Sequence, residues 1–477
     1  MEWLTSLFWE NALGAVSWAI RIGALLIVPF RRSAAEARTW LLAFFVAPVP
    51  AMLIYLAIGR PEHSKKRQAL FDDLPQVLER AAVLLGLSAG RFDTEVPAKA
   101  DGIADLASGL ASLPALPGNA IELLPDYQAV IDRLVADIDD AAHHVHLQFY
   151  IFASDATGQA VMAALSRAEL RGVECRVLID AMGSFGFSRK TERNLEAAGV
   201  EVERILPLTR RWNASRIDLR NHRKIAVIDG RIGYTGSQNV VDAQVSKGFA
   251  HQELMCRVRG PIVGALQMVF LGDWYLETQQ ELDGDELFAI ERGAGDTALQ
   301  VLPTGPDYDT GRIDMVFTEM IYAAREQVVI ATPYFIPNEA LSQALKTAAA
   351  RGVEVTLILS QRLDSRIVCY AQRSYYTELL EAGIRIVLFQ PDFLHAKHMR
   401  IDRAAALIGS SNMDMRSFEL NAEISLLLYD RDAICDLENV ENAFIARSET
   451  VDLDRWKARW LLSKTAENSM RLLSDLL

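Results

Sequence analysis

A short pattern occurs twice in this chain, and it restricts the fold more than any other feature. Residues 221–230 read NHRKIAVIDG and residues 394–403 read LHAKHMRIDR. Both place histidine, then lysine two positions on, then aspartate five beyond: His222, Lys224 and Asp229 in one copy, His395, Lys397 and Asp402 in the other. From the residue counts, one His-x-Lys-x4-Asp match is expected by chance on the order of a hundredth of a time. A serine and an asparagine recur downstream at matching distances, Ser237 and Asn239 in the first copy, Ser410 and Asn412 in the second.

The sequence around the motifs repeats as well. HHVHLQFYIF (143–152) and EQVVIATPYFI (326–336) read as strands, each followed by a helical stretch and then by RGVECRVLID (171–180) or RGVEVTLILS (351–360). LEAAGVEV (195–202) answers LLEAGIRIV (379–387). Strands alternating with helices argue for parallel βαβ units, and a repeat of this length is a domain rather than a solenoid unit. The expected class is therefore α/β with a duplicated body. The polar stretch 281–297 holds the join, with a first half over 116–290, a second over 291–477 and a connector over 61–115.

Residues i and i+2 of a strand share a face. Read as strands, the motifs point His222 with Lys224 and His395 with Lys397. Asp229-Gly230 suits a two-residue hairpin turn, which sets His222 opposite Ser237 with Asn239 one step beyond. The same folding sets His395 opposite Ser410, with Asn412 beyond. Each half then builds one cluster of His, Lys, Ser and Asn, while the aspartates are turn or structural residues. The set suits a phosphodiester: lysine neutralises the anion, serine and asparagine donate hydrogen bonds, and histidine exchanges a proton near neutrality. One histidine attacks phosphorus and the other protonates the leaving oxygen. A nucleophilic imidazole needs a carboxylate on its other nitrogen. Glu253 and Glu423 are the candidates, and either can serve its own half or the other.

The N-terminus differs in kind. Residues 12–30 and 39–59 are apolar runs near the roughly 20 residues that cross a bilayer, and only the first carries a charge, Arg21. They predict a membrane hairpin within residues 1–60. Basic residues flank both sides of the second run, and the cluster Arg60, Lys65, Lys66 and Arg67 leans towards a cytoplasmic body. The net charge of −13 argues against a nucleic-acid partner. The four cysteines form no Cys-x-x-Cys pair and indicate neither a metal centre nor a disulfide framework. An insertion before the first motif, 206–221, concentrates basic residues around Trp212. It is either a solvated loop or a headgroup-binding surface carrying Arg210, Arg211 and Trp212. The C-terminal run with Trp456 and Trp460 is either an interfacial amphipathic helix or a helix packed on the body.

The paired motifs resemble those of the phospholipase D superfamily. With the N-terminal hairpin, YTGSQNVVD, PYFIP and GSSNMDMRSFELNAEI, the chain is similar to the bacterial cardiolipin synthases over nearly its whole length. The resemblance implies two phospholipase D-type domains, with mixed sheets flanked by helices, sharing one active site in a multi-pass protein of the bacterial inner membrane. It implies transfer of a phosphatidyl group between two phosphatidylglycerol molecules, with release of glycerol, through a phosphatidyl-histidine and without metal or other cofactor. It matches His222, Lys224 and Asn239 to the first motif and His395, Lys397 and Asn412 to the second, with Asp229 and Asp402 completing the catalytic motifs; Ser237, Asn239, Ser410 and Asn412 remain the expected phosphate donors. His222 is the expected nucleophile and His395 the expected acid. Glu253 stands where relatives often carry aspartate. A membrane phospholipase D hydrolysing the same lipid, a phosphatidylserine synthase, a nuclease and a non-catalytic lipid-binding scaffold are the competing readings. The nuclease sits badly with the acidic charge and the hairpin, and the scaffold with two complete motifs.

Overall fold

The computed structural model of the chain describes residues 2–32, 34–59, 65–84, 94, 96–207, 218–244, 249–306 and 312–472. Its centre is a 16-stranded mixed sheet whose strand order is nearly the same read inward from either edge. From the first edge inward come Glu201–Ile205, Glu174–Asp180, His144–Phe149, Ile225–Ile228, Ile232–Gly236, Met255–Arg259 and Leu116–Leu124. From the other edge, inside a short outermost strand Ser448–Thr450, come Arg385–Phe389, Glu354–Ser360, Gln327–Thr332, His398–Ile401, Ala405–Gly409, Asn421–Leu428 and Thr297–Thr304. The three outer strands of each series are parallel, as their helical crossovers require, and the inner four are antiparallel. Leu116–Leu124 and Thr297–Thr304 pair antiparallel, which relates the two series by a pseudo-twofold axis.

The repeated sequence explains the repeated geometry. Helices Ala156–Leu170 and Glu339–Ala350 start at Asp155 and Asn338, whose side chains accept the Gly158 and Leu341 amides. Each ends at an Arg-Gly pair whose glycine, Gly172 or Gly352, takes φ of 87° or 86° and turns the chain into the next strand. Between the halves lies a shared core in which Ile225, Val227 and Cys256 meet Ile408, Ile424 and Leu426. Each fully buried aliphatic side chain there contributes about 1.5–3 kcal/mol, so the halves stabilise each other. The helix Ile262–Thr278 runs through this core with 15 of its 17 residues buried.

The N-terminal segment departs from the expected pair of spans. The first run covers the second part of a 26-residue helix, Glu2–Ile27, and a short 3-10 turn, Val28–Phe30, whereas the second is two helices, Ala34–Val46 and Pro48–Ile58. Pro48 and Pro50 lack amide donors, and the residue before a proline is pushed out of the helical region; Ala47 has φ −140° and ψ 78°. Among the described residues no helix is long and apolar enough to cross a membrane. The helices pack through Val28, Trp40 and Phe44, with Trp40 edge-on to Tyr55 at 5.0 Å. Arg21 donates to Phe45 O at 3.1 Å, which gives the charge in the first run a partner on the next helix.

The C-terminal run also divides. Helix Leu453–Lys457 buries Trp456 against Tyr376 at 5.0 Å. Helix Leu461–Arg471 buries Glu467, which pairs with Arg459 at 2.6 Å, and its Arg471 lies over the Tyr375 ring at 4.4 Å. Trp456 thus follows the packed alternative, while Trp460, Leu461 and Leu462 face outward. The four cysteines are unpaired.

Candidate active site

Neither motif is a continuous strand. His222–Lys224 occupy a break between Arg220–Asn221 and Ile225–Ile228, and His395–Lys397 a break between Phe393–Leu394 and His398–Ile401. The hairpins are also one residue longer than a two-residue turn allows: Ile228 pairs with Ile232 and Ile401 with Ala405. The expected register, with His222 opposite Ser237 and His395 opposite Ser410, is therefore shifted by one.

The motif aspartates cause that shift. Asp229 and Asp402 adopt positive φ, 51° and 47°, and turn their carboxylates to the start of a neighbouring strand. Asp229 accepts the amides of Ala142, His143 and His144 at 2.8–2.9 Å. Asp402 accepts those of Arg325, Glu326 and Gln327, and the Lys99 ammonium at 3.1 Å. Burial opposes their charge, but these donors hold both carboxyls below the usual range. They are structural clamps at the far end of the hairpin, not members of the central cluster.

What brings the motifs together is a crossing of strands. Arg220–Asn221 pairs with Asn421 and Ala422 of the second half, and Phe393–Leu394 pairs with His251 and Gln252 of the first. The His222 amide donates to Ala422 O at 2.7 Å and the His395 amide to Gln252 O at 2.8 Å. Each imidazole thereby meets the carboxylate of the other half. His222 Nδ1 lies 3.0 Å from Glu423 Oε2, and His395 Nδ1 lies 2.7 Å from Glu253 Oε1.

The lysines are fixed in the same way in both copies. Lys224 Nζ donates to His222 O and Lys397 Nζ to His395 O, each at 2.6 Å. Burial pushes Lys224 down to about 7 and Lys397 to about 8, against the pull of Glu423 and Glu253. Burial likewise lowers both histidines, His395 to about 3, although Glu423 and Glu253 oppose it. Burial works against the two carboxylates too, yet the facing histidines and lysines hold both below their usual range. Lys397 acts on His222, and Glu253 acts on Lys224, so the two motifs form a single charge cluster.

Ser237 and Ser410 differ from the phosphate-binding expectation. Ser237 Oγ donates to Glu253 and Ser410 Oγ to Glu423, each at 2.5 Å, and both serines are fully buried. They brace the carboxylates that brace the histidines. Asn239 and Asn412 lie beside them at 6 % and 7 % exposure; Asn239 Oδ1 accepts the Ile151 amide, which leaves its NH2 group as the donor end. Arg210, Arg211 and Trp212 lie outside the described residues. Of the basic residues that follow them, Arg220, Arg223 and Lys224 are buried, and Arg223 Nη1 donates to both carboxylate oxygens of buried Asp273 at 2.6 and 2.7 Å.

Several neighbours escaped the motif reading. The Tyr150 ring stands edge-on to His222 at 4.9 Å, with Lys224 Nζ 5.5 Å from its centroid. Tyr334, one position beyond the repeat equivalent of Tyr150, lies 6.2 Å from Phe393, which flanks His395 at 5.8 Å. The signal was a tyrosine close after the strand in both HHVHLQFYIF and EQVVIATPYFI. Among the described residues one trio, His251, Glu253 and His395, brings metal-ligating atoms within 4.8 Å of one another. The His395–Glu253 hydrogen bond already occupies it, and Lys397 adds positive charge.

Two buried imidazoles, each held by a carboxylate at Nδ1, leave their Nε2 atoms for chemistry beside two ammonium groups. That arrangement suits displacement at an anionic phosphorus. A family profile described as "Cardiolipin synthase, PLD-like domain" matches residues 134–274 and 317–444. The chain is 32 % identical to cardiolipin synthase A of Proteus mirabilis over 100 % of its own length and 99 % of that protein's. It is 34 % identical to cardiolipin synthase A of Erwinia tasmaniensis over 96 % and 97 %. Its fold matches the crystal structure of phosphatidylserine synthase from Haemophilus influenzae with a TM-score of 0.59 at 16 % identity, covering 79 % of this chain and 100 % of that one.

Proposed function

The chain belongs to the cardiolipin synthase family with phospholipase D-like domains, and from that premise we propose that it joins two phosphatidylglycerol molecules into cardiolipin with release of glycerol. It is a phosphatidyltransferase. The observation that carries the mechanism is the crossed pairing of His222 with Glu423 and His395 with Glu253. His395 takes up a proton at Nε2 when the anionic lipid phosphate lies beside it; His222 Nε2 then attacks phosphorus while His395 gives that proton to the departing glycerol oxygen. The second phosphatidylglycerol then loses its hydroxyl proton to His395, its oxygen bonds phosphorus, and the bond to His222 breaks. Lys224, Lys397, Asn239 and Asn412 stabilise the phosphate oxygens. Glu253 and Glu423 keep each imidazole in the tautomer that presents Nε2. Residues 116–290 and 291–477 are the two halves that share this site, with 61–115 as the connector.

The protein works at the bacterial inner membrane, held by its N-terminal apolar helices. Trp18, Leu25, Leu26, Phe30, Leu42 and Leu53 support this, being large, apolar and more than half exposed. Beside the site a loop adds Met182 and Phe185 in one half and the helix Arg366–Ser374 adds Ile367 and Tyr370 in the other, all exposed. The loop abuts Tyr150 through Ser184, and the residue pair before the helix abuts Tyr334 through Asp364. A bilayer against this rim would deliver both lipids and keep water out.

Purified protein supplied with phosphatidylglycerol alone tests the reading. Cardiolipin and glycerol in equal amounts are expected. Phosphatidic acid as the sole product would replace synthesis by hydrolysis.

A further inference from the structure

The two halves match closely around the site, and one of the differences between them falls directly beside a histidine-holding carboxylate. The crossed strands place His251 opposite Phe393 and Asn421 opposite Arg220. His251 and Asn421 are therefore equivalent, each two residues before its carboxylate and on the same face of the strand. Asn421 Nδ2 donates to Glu423 Oε1 at 3.4 Å, and Ser410 and Ser417 hydroxyls complete a shell of neutral donors around Glu423 besides His222. In the other half the asparagine is replaced by an imidazole. His251 Nδ1 lies 3.7 Å from Glu253 Oε1, the same oxygen that takes His395 Nδ1 at 2.7 Å. The rings of His251 and His395 are 5.2 Å apart, and His251 is pinned by its amide bond to Ala243 O and by the Phe393 ring at 5.1 Å. Its buried Nε2 has no hydrogen-bond partner among the described residues.

We propose that His251 is a positioning residue which, by sharing the Glu253 carboxylate with His395, makes the two histidines of the site unequal and fits His395 to proton transfer. This rests on the transferase reading above. A carboxylate at Nδ1 strengthens the basicity of Nε2. At His222 the whole field of Glu423 serves one ring. At His395 the field of Glu253 is divided between two rings. His395 is then the weaker base and, once protonated, the stronger acid towards the departing glycerol oxygen. His222 keeps the better nucleophile. The proton given up in the first step returns to His395 from the acceptor hydroxyl in the second, so the ring is restored each cycle. The direction agrees with the charges, since His251 adds to the lowering of His395. The other groups facing this pair are Lys397 and Tyr127 at Glu253, and Arg447, which is bonded to Gln252 Oε1 and Asp392.

The test uses full-length His251→Asn, which copies the Asn421 side, and His251→Ala, with the mirror variant Asn421→His. Consumption of saturating phosphatidylglycerol is followed in a single turnover across pH, which reports the lipid-bound protein. Both His251 variants should move the pH above which the rate falls upward by about half to one unit, with KM within about twofold. Asn421→His should slow formation of the phosphatidyl adduct by about tenfold by dividing Glu423 in the same way. Superimposed pH profiles, or a uniform loss of rate with an unmoved profile, would assign His251 a packing role and overturn the proposal. Lipid consumption is read whatever the acceptor, so a protein that hydrolysed its substrate would sink the cardiolipin reading and leave this test intact.

Discussion

His222 is held at 3.0 Å by Glu423, a partner 201 residues further along the chain and in the opposite half of the molecule. His395 answers with Glu253, 142 residues away. Neither half supplies the carboxylate that holds its own motif histidine, so each motif depends on the other half.

Removing the charge of Glu423 should therefore disable a histidine it does not share a half with. Glu423→Gln is expected to lower kcat about a thousandfold, because the imidazole loses its fixed tautomer, while KM for phosphatidylglycerol changes little. Steady-state kinetics on detergent-solubilised protein would check this; a loss below tenfold would show that Glu423 does not orient His222.

The histidines should separate in a trapping experiment. With radiolabelled phosphatidylglycerol and acid quench, His222→Ala should yield no protein-bound phosphatidyl group, whereas His395→Ala should form one slowly, for want of the first-step acid, and retain it, for want of the second-step base. Label retained in His222→Ala would exchange the two roles.

Asp229 should matter to stability more than to chemistry. Its carboxylate satisfies three backbone amides, and Asp229→Ala leaves them without that acceptor. A cost of about 2–4 kcal/mol in denaturant unfolding is expected, with kcat per folded molecule within about threefold of the parent. An intact stability with a collapsed kcat would return Asp229 to the chemistry.

The lysines set a pH dependence whose sign can be worked out. Burial lowers Lys224 to about 7 and Lys397 to about 8 in the folded protein, while the unfolded chain keeps ordinary lysines near 10.5. Between those limits the unfolded state binds more protons, so the contribution of these two groups makes the lipid-free protein more stable as pH rises from about 7 towards 10.5. Binding of a phosphate requires the charged form, so KM for the donor should climb above about pH 8. A KM that stays level to pH 9.5 would mean that the lysines remain charged in the empty site.

The apolar rim predicts a split between bilayer and soluble substrates. Phe185→Ser with Ile367→Ser should reduce co-sedimentation with phosphatidylglycerol vesicles several-fold, while turnover of a short-chain, monomeric phosphatidylglycerol stays within about twofold. Equal loss on both substrates would place these side chains in the local folding of the rim instead.

Much of the site could be read before any coordinates. The pairs His222/Lys224 and His395/Lys397 carry their chemistry in their identity, and the repeated RGVE corners announce a duplicated α/β body. The hairpin register could not be read correctly, because Asp-Gly favours a two-residue turn locally, whereas Asp229 is drawn into a longer one by amides 85 to 87 positions away. The serines were misread for the same reason: a hydroxyl near a phosphate site and a hydroxyl bonded to a buried carboxylate look alike in one dimension. Arg220 and Arg223 follow a basic insertion, yet both are buried, and Arg223 is bound to Asp273 on a helix that the motif does not mention.

The sequence by itself determined the repeated elements, the chemical class of the site and the apolar character of the N-terminus, because periodicity, turn residues and side-chain type act over a few positions. Only the tertiary structure decided which carboxylate serves which histidine, that the second apolar run bends at Ala47, and that His251 rather than an amide stands beside Glu253. Those choices depend on strands that exchange partners across a pseudo-twofold axis, and on distances between residues that no local pattern relates.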